Sequence, residues 1–247
     1  LAPLKQLLFE VFNAREYEAY PIEGDDGVSG VVVALQAIDD SGAKRLFEAM
    51  VEVLKVAHSN AALKKTLHSQ SVRDALTGLL NKKAFDQKLH EEISRARRIE
   101  MPVSLISIGI DHFTEFADNN GQALADIVLK MIASLMKRTS RSIDIVARTG
   151  PAEFAVLLPH TTQTGAAVKA EKLRRLVEIT KFPQRETQPG GRVTVSVGVS
   201  EYPSLSADAE GLVQSSDSAF FQVRTVTNKV CLAAPPPGLR PDFETGS

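Results

Sequence analysis

Three apolar runs of strand length punctuate the middle of the chain: VSLISIGI from Val103, EFAVLLP from Glu153 and VTVSVGVS from Val193. Runs this short and this continuously apolar describe strands buried on both faces, so helices must cover the sheet they form. The sequence supplies them. KKAFDQKLHEEISRARR, Phe113–Asn119, Gln122–Thr139, GAAVKAEKLRRLVEI and AEGLVQSSDSAFFQVR all carry helical periodicity. DIVARTG and EFAVLLP read as a hairpin, and KVCLA as a final strand. Helices that return between strands specify an α/β (α+β sandwich) fold with one central, mostly antiparallel sheet.

Upstream the pattern changes. LKQLLFEVF reads as a short amphipathic helix, and YEAYPIE and GVVVALQAI as two strands around the turn EGDDGVSG. Two strands and a helix do not bury a core of their own. Residues 1–40 are therefore expected to be a partial module that either packs on the rest of the chain or belongs to a protein extending further toward its N-terminus. Residues 41–73 read as a linker helix, with Phe47, Met50, Leu54, Ala57 and Ala61 spaced as a coiled-coil seam. Residues 74–234 form the main domain, and 235–247 a proline-rich tail.

Net charge is −1, without a long single-sign run, which argues against nucleic acid as a partner. The apolar runs are too short for membrane insertion. The single cysteine, Cys231, excludes an intrachain disulfide and is read as a core residue in a cytoplasmic protein. His58, His68 and His90 lack metal-ligand spacing, and no metal site is expected among them.

From Asp74 to Ala234 the landmarks resemble the GGDEF, or diguanylate cyclase, family. DALTGLLNKKAF is similar to its opening motif, and SIGIDHFTEFADNNG to its first strand and following helix. ARTGPAEFAVLLP stands where the signature turn falls, VTVSVGVS resembles the late central strand, and DSAFFQV the last helix. The resemblance implies a nucleotidyl-cyclase-like sheet. Active members join two GTP molecules into cyclic di-GMP with two divalent metal ions.

Carried over residue by residue, the resemblance places Gly109 at the first metal-binding aspartate, Thr114 at the phosphate-binding lysine and Ala117 at a guanine-contacting asparagine. Pro151 and Ala152 replace the second glycine and the aspartate of the turn. Gly150, Glu153, Asp126 and Asp111 remain as a remnant of the ancestral active site, Asp111 as a structural residue. The expectation is a degenerate domain that is not an enzyme, has no catalytic residues, and needs no cofactor and no magnesium.

Arg141-Ser142-Ile143-Asp144 is an R-x-x-D motif, at the offset from Gly150 where the family has its inhibitory site for cyclic di-GMP. An arginine fork can bond guanine O6 and N7 or a phosphate, and an aspartate accepts from guanine N1 and N2. Both side chains are expected to project together from this corner. The family's spacing makes Lys172 the third member of the site. The reading is a cyclic di-GMP receptor that signals to an unidentified protein partner, as a homodimer or a ligand-linked dimer. The N-terminal module resembles the end of a GAF-type sensor. Two other readings stand beside it: an interaction scaffold without ligand, and a residual diguanylate cyclase using Asp111, Asp126 and Glu153.

Overall fold

The computed structural model describes residues 18–24, 27–34, 51, 71–238 and 241–243. The chain divides into two compact units, Leu1–Ser71 and Val72–Ser247. In the first, β1 (Glu18–Gly24) and β2 (Gly27–Ala34) pair antiparallel, with a register shift between Ile22 and Glu23. The second strand starts at Gly27, inside the expected turn. The LKQLLFEVF helix lies outside the described residues. So does the linker helix, apart from Val51, which is helical, and Ser71 to Arg73, which are not.

The second unit carries a six-stranded sheet in the order β3-β5-β6-β4-β7-β8. Its strands are β3 (Leu80–Asn81), β4 (Val103–Ile110), β5 (Ile145–Arg148), β6 (Glu153–Pro159), β7 (Val195–Tyr202) and β8 (Val230–Leu232). The inner pairs β5–β6, β6–β4 and β4–β7 are antiparallel, and the outer pairs β3–β5 and β7–β8 are parallel. Five helices pack on it: α1 (Lys82–Ile99), α2 (Phe113–Asn120), α3 (Gln122–Thr139), α4 (Gln163–Ile179) and α5 (Ala209–Arg224).

The continuous apolar character of β4 has a direct cause. Ile106, Ile108 and Ile110 face a cluster with α3 and α4, while Val103 and Leu105 face a second cluster with α1 and α5. Successive side chains point to opposite faces, and both faces are covered. Gly198 on β7 sets how closely α5 approaches: an added Cβ there would overlap the Ser216 carbonyl oxygen and the backbone of Phe220. Asn81 caps α1 by accepting from the Ala84 amide at 2.9 Å, and Arg97 and Arg98 sit in its last turn, where cations oppose the helix dipole.

Cys231 differs from its expected place. It lies half-buried on the edge strand β8, because the apolar VCLAA run borders the sheet and does not cross its centre. His90 is exposed and pairs with Glu210 at 2.9 Å.

Candidate functional site

The four-residue strand β5 joins two turns of interest. At its C-terminal end the residues 149–152 form the tight turn to β6. The amides of Thr149 and Gly150 both donate to the Glu153 carbonyl, at 3.0 and 3.2 Å. Arg148 holds this turn from below, donating to the Gly150 carbonyl at 3.1 Å and the Pro151 carbonyl at 2.7 Å. The same guanidinium reaches both carboxylate oxygens of Asp74 at 3.3 Å, tying the turn to the opening motif. Burial raises the Asp74 pKa, but hydrogen bonds from Thr77 and the Arg148 charge outweigh it and hold the carboxyl below its ordinary value. A Cβ at Gly150 would stand 2.8 Å from a Glu153 carboxylate oxygen, the mobile end of that side chain.

Above the turn lies a cleft of about 420 Å³, lined among others by Gly109, Asp111, Thr114, Ala152, Glu153 and Arg224. Asp111 is buried and fully engaged. It accepts from Thr194 Oγ1 at 2.6 Å, Ser196 Oγ at 2.7 Å and the Asn228 amide at 2.9 Å. These bonds tie it to β7 and to the turn before β8. Asp126 accepts from Gln122 at 2.7 Å on α3 and does not line the cleft. An added Cβ at Gly109 would overlap the ring of Phe220, which occupies the space a side chain there would take.

Sequence reasoning passed over Phe220 and Arg224. Both come from α5, and the Arg224 guanidinium carbon lies 6.0 Å from the Phe220 ring centroid and 5.9 Å from that of Phe221. The signal was the RTVTN stretch after DSAFFQV, which carries a cation into the cleft. The side chains present make a poor two-ion centre: Gly109 and Ala152 offer no side-chain oxygen, both oxygens of Asp111 are spent on hydrogen bonds, and Glu153 is left as the carboxylate lining the cleft. Among the described residues no group of three His, Cys, Asp or Glu side chains is placed to hold a metal ion.

At the N-terminal end of β5 is the R-x-x-D corner, and here the two side chains part. Arg141 is exposed, and its guanidinium makes no hydrogen bond or ion pair with the described residues. Asp144 turns inward, its side chain 2% exposed. Its Oδ2 accepts from the Arg141 amide at 2.8 Å and from Lys169 Nζ at 2.7 Å. Its Oδ1 is buried and has no hydrogen-bond partner. Lys169 also donates to the Thr139 carbonyl and Ser140 Oγ, both at 3.1 Å, and so ties α4 to the end of α3. Lys172 lies one turn further on, exposed along a shallow apolar face of α4 with Val168 and Ile179. The cation at the aspartate is thus Lys169, because residues three apart lie on adjacent helix faces and spacing alone does not rank them.

This sheet order, with its turn between β5 and β6 and its corner before β5, defines a class. The chain belongs to the GGDEF domain family of diguanylate cyclases, whose model matches residues 71–229. It is similar to diguanylate cyclase DgcP of Pseudomonas aeruginosa, 29% identical over 209 residues, covering 85% of this chain. The chain spans 29% of that relative's length. Among solved structures it resembles the coiled coil and GGDEF domain of DgcB from Caulobacter crescentus in complex with c-di-GMP. The identity is 28% and the TM-score 0.61, over 78% of this chain and all of that one. It also resembles diguanylate cyclase SiaD of P. aeruginosa in complex with its activator SiaC, at 28% identity and TM-score 0.60, over 78% and 76% of the two chains.

These findings correct one expectation. The reading of the altered turn as the mark of a non-enzyme does not stand, because the family and the matched relatives are diguanylate cyclases by name. Among the described residues, no helix is long and apolar enough to cross a membrane.

Proposed function

We propose that this chain is a cytoplasmic GGDEF signalling protein that binds cyclic di-GMP at the corner of Arg141, Asp144 and Lys172. Asp144 carries the reading. A buried carboxylate oxygen without a donor costs about 1–3 kcal/mol, and a guanine N1–H or N2–H would satisfy it. Beside it, Arg141 holds a guanidinium with no partner among the described residues, suited to a phosphate or to the face or Hoogsteen edge of a base. Lys172 adds charge for the second phosphate. The structural relative DgcB, which holds c-di-GMP, supports the ligand.

The proposed role calls on no resident metal. Ligand state passes through residues 41–73 to a GAF-like N-terminal module and to a protein partner, with pairing of two chains along that segment. The complex of SiaD with its activator supports the partner.

Calorimetric titration with cyclic di-GMP tests the site. Saturable binding that weakens at least about tenfold in Arg141→Ala is expected, the scale of a lost charged fork. Binding unchanged by that substitution places the ligand elsewhere. Incubation with GTP and magnesium measures cyclase turnover separately, and any turnover should fall in Glu153→Ala, which removes a carboxylate that lines the cleft.

A further inference from the structure

The proline-rich tail returns to the domain. After β8, the Ala233 amide donates to the Val199 carbonyl at 2.8 Å, and Gln163 Nε2 donates to the Ala233 carbonyl at 2.9 Å. The proline arm then borders a groove beside α5, and Gly238, at φ 77°, takes a left-handed turn that favours glycine. Beyond it, Pro241, Asp242 and Phe243 lie against the far ends of α1 and β7. Phe243 packs edge-on to Tyr202, ring centroids 5.9 Å apart and planes at 74°. The Tyr202 hydroxyl donates to Asp242 Oδ2, which also accepts from Arg97 Nε at 2.9 Å. Arg97 further donates to the Tyr202 hydroxyl at 3.2 Å and the Ala207 carbonyl at 3.3 Å, so its half of the site is built without the tail. The Tyr202 hydrogen bond, reinforced by Arg97, holds the Asp242 carboxyl below its ordinary range.

We propose that Arg97, the Tyr202 hydroxyl and the apolar rim around them form a docking site for an acidic–aromatic peptide, and that the chain's own Asp242–Phe243 is its resident ligand. Two complementary parts meet there. The site offers two donors converging on one carboxylate and an aromatic edge next to them. The tail, between Ala233 and Ser247, contains one aromatic residue, and an aspartate immediately precedes it. The exposed Arg97–Asp242 pair, 58% and 35% exposed, contributes little by itself. The anchors are the ring contact and the Tyr202 hydroxyl, which donates to the Asp242 carboxylate. The short tether gives the tail an effective concentration of order millimolar, so modest intrinsic affinity suffices to keep it docked.

The test uses the full chain with Asp242→Ala and Phe243→Ala together, which empties the site, and a synthetic peptide of residues 235–247 followed by NMR titration. Saturable binding to the double variant is expected, with perturbed signals at Arg97 and Tyr202. Binding to the unaltered chain should be at least about tenfold weaker, since the tethered tail competes. A peptide with Phe243→Ala should lose at least about tenfold, the scale of a buried aromatic anchor. Arg97→Ala in the double variant should cost only about two- to fivefold, as for an exposed ion pair. No binding to the emptied chain at millimolar peptide overturns the proposal, as does equal binding to both chains. A self-association present in the unaltered chain and lost in the double variant overturns the assignment to the same chain, because the docked tail is then a neighbour's.

Discussion

The two ends of β5 make opposite use of their charged groups. At the C-terminal end, Arg148 is fully spent: two carbonyls of the turn and both oxygens of Asp74 take its donors. At the N-terminal end, Asp144 is half spent, one oxygen saturated by Lys169 and a backbone amide and the other buried without a donor. A satisfied buried network stiffens a fold, while an unsatisfied buried atom is a standing cost that a ligand can remove. The turn is held by Arg148 from beneath. The corner four residues away keeps unused hydrogen-bonding capacity.

That contrast can be broken most strongly at Arg148. Arg148→Ala removes the clamp on the turn and leaves Asp74 without its counter-ion. A loss of about 3 kcal/mol in denaturant unfolding is expected, and a change below about 0.5 kcal/mol would show that the turn stands without it. Asp144→Ala should cost less, about 2 kcal/mol, because Lys169 keeps the Thr139 carbonyl and Ser140 hydroxyl as partners while losing its counter-ion. Cyclic di-GMP affinity should fall with it, whereas Arg148→Ala should leave that affinity within about twofold.

The cleft offers a sharper probe of what fills it. Gly109→Asp forces a side chain into the Phe220 ring and should destabilise by about 1–2 kcal/mol. Combined with Phe220→Ala, the cost should be smaller than the sum of the single changes. Additivity in that double-mutant cycle would mean that the ring and the glycine are not matched.

The smallest effect concerns pH. Arg174 holds Glu171 at about 2, with Arg175 helping against the cost of burial. The folded pKa lies below the unfolded one, so this carboxylate contributes stability above about pH 4.5 and loses it as pH falls toward 2. Glu171→Gln should flatten that part of the acid limb by a fraction of a kcal/mol, because the group is partly exposed. An acid limb of unchanged steepness would assign the loss to other carboxylates.

Much of this molecule was legible in its residues. The helix bounds of α3 and α5 match the periodicity read from Gln122–Thr139 and AEGLVQSSDSAFFQVR, since amphipathic spacing is a local property of the chain. The opening motif hid the two-residue strand β3, because pairing with Ala147 and Arg148 is non-local. β7 runs to Tyr202, past the expected end at Ser200, because its partner Val103 extends the ladder there. At the corner, sequence named Arg141 and Asp144 as a motif but had no means to show that one side chain leaves the surface. At the C-terminus, proline content described a tail and concealed a docked segment.

What the sequence alone determined was the order of elements and the burial of β4. Each follows from residue type and spacing, which act over a few neighbours. Tertiary structure decided which cation meets Asp144, what fills the space over Gly109, and where Phe243 lands. Those outcomes depend on side chains far apart in the chain arriving at one point, and only packing brings Lys169, Phe220 or Tyr202 within reach of their partners.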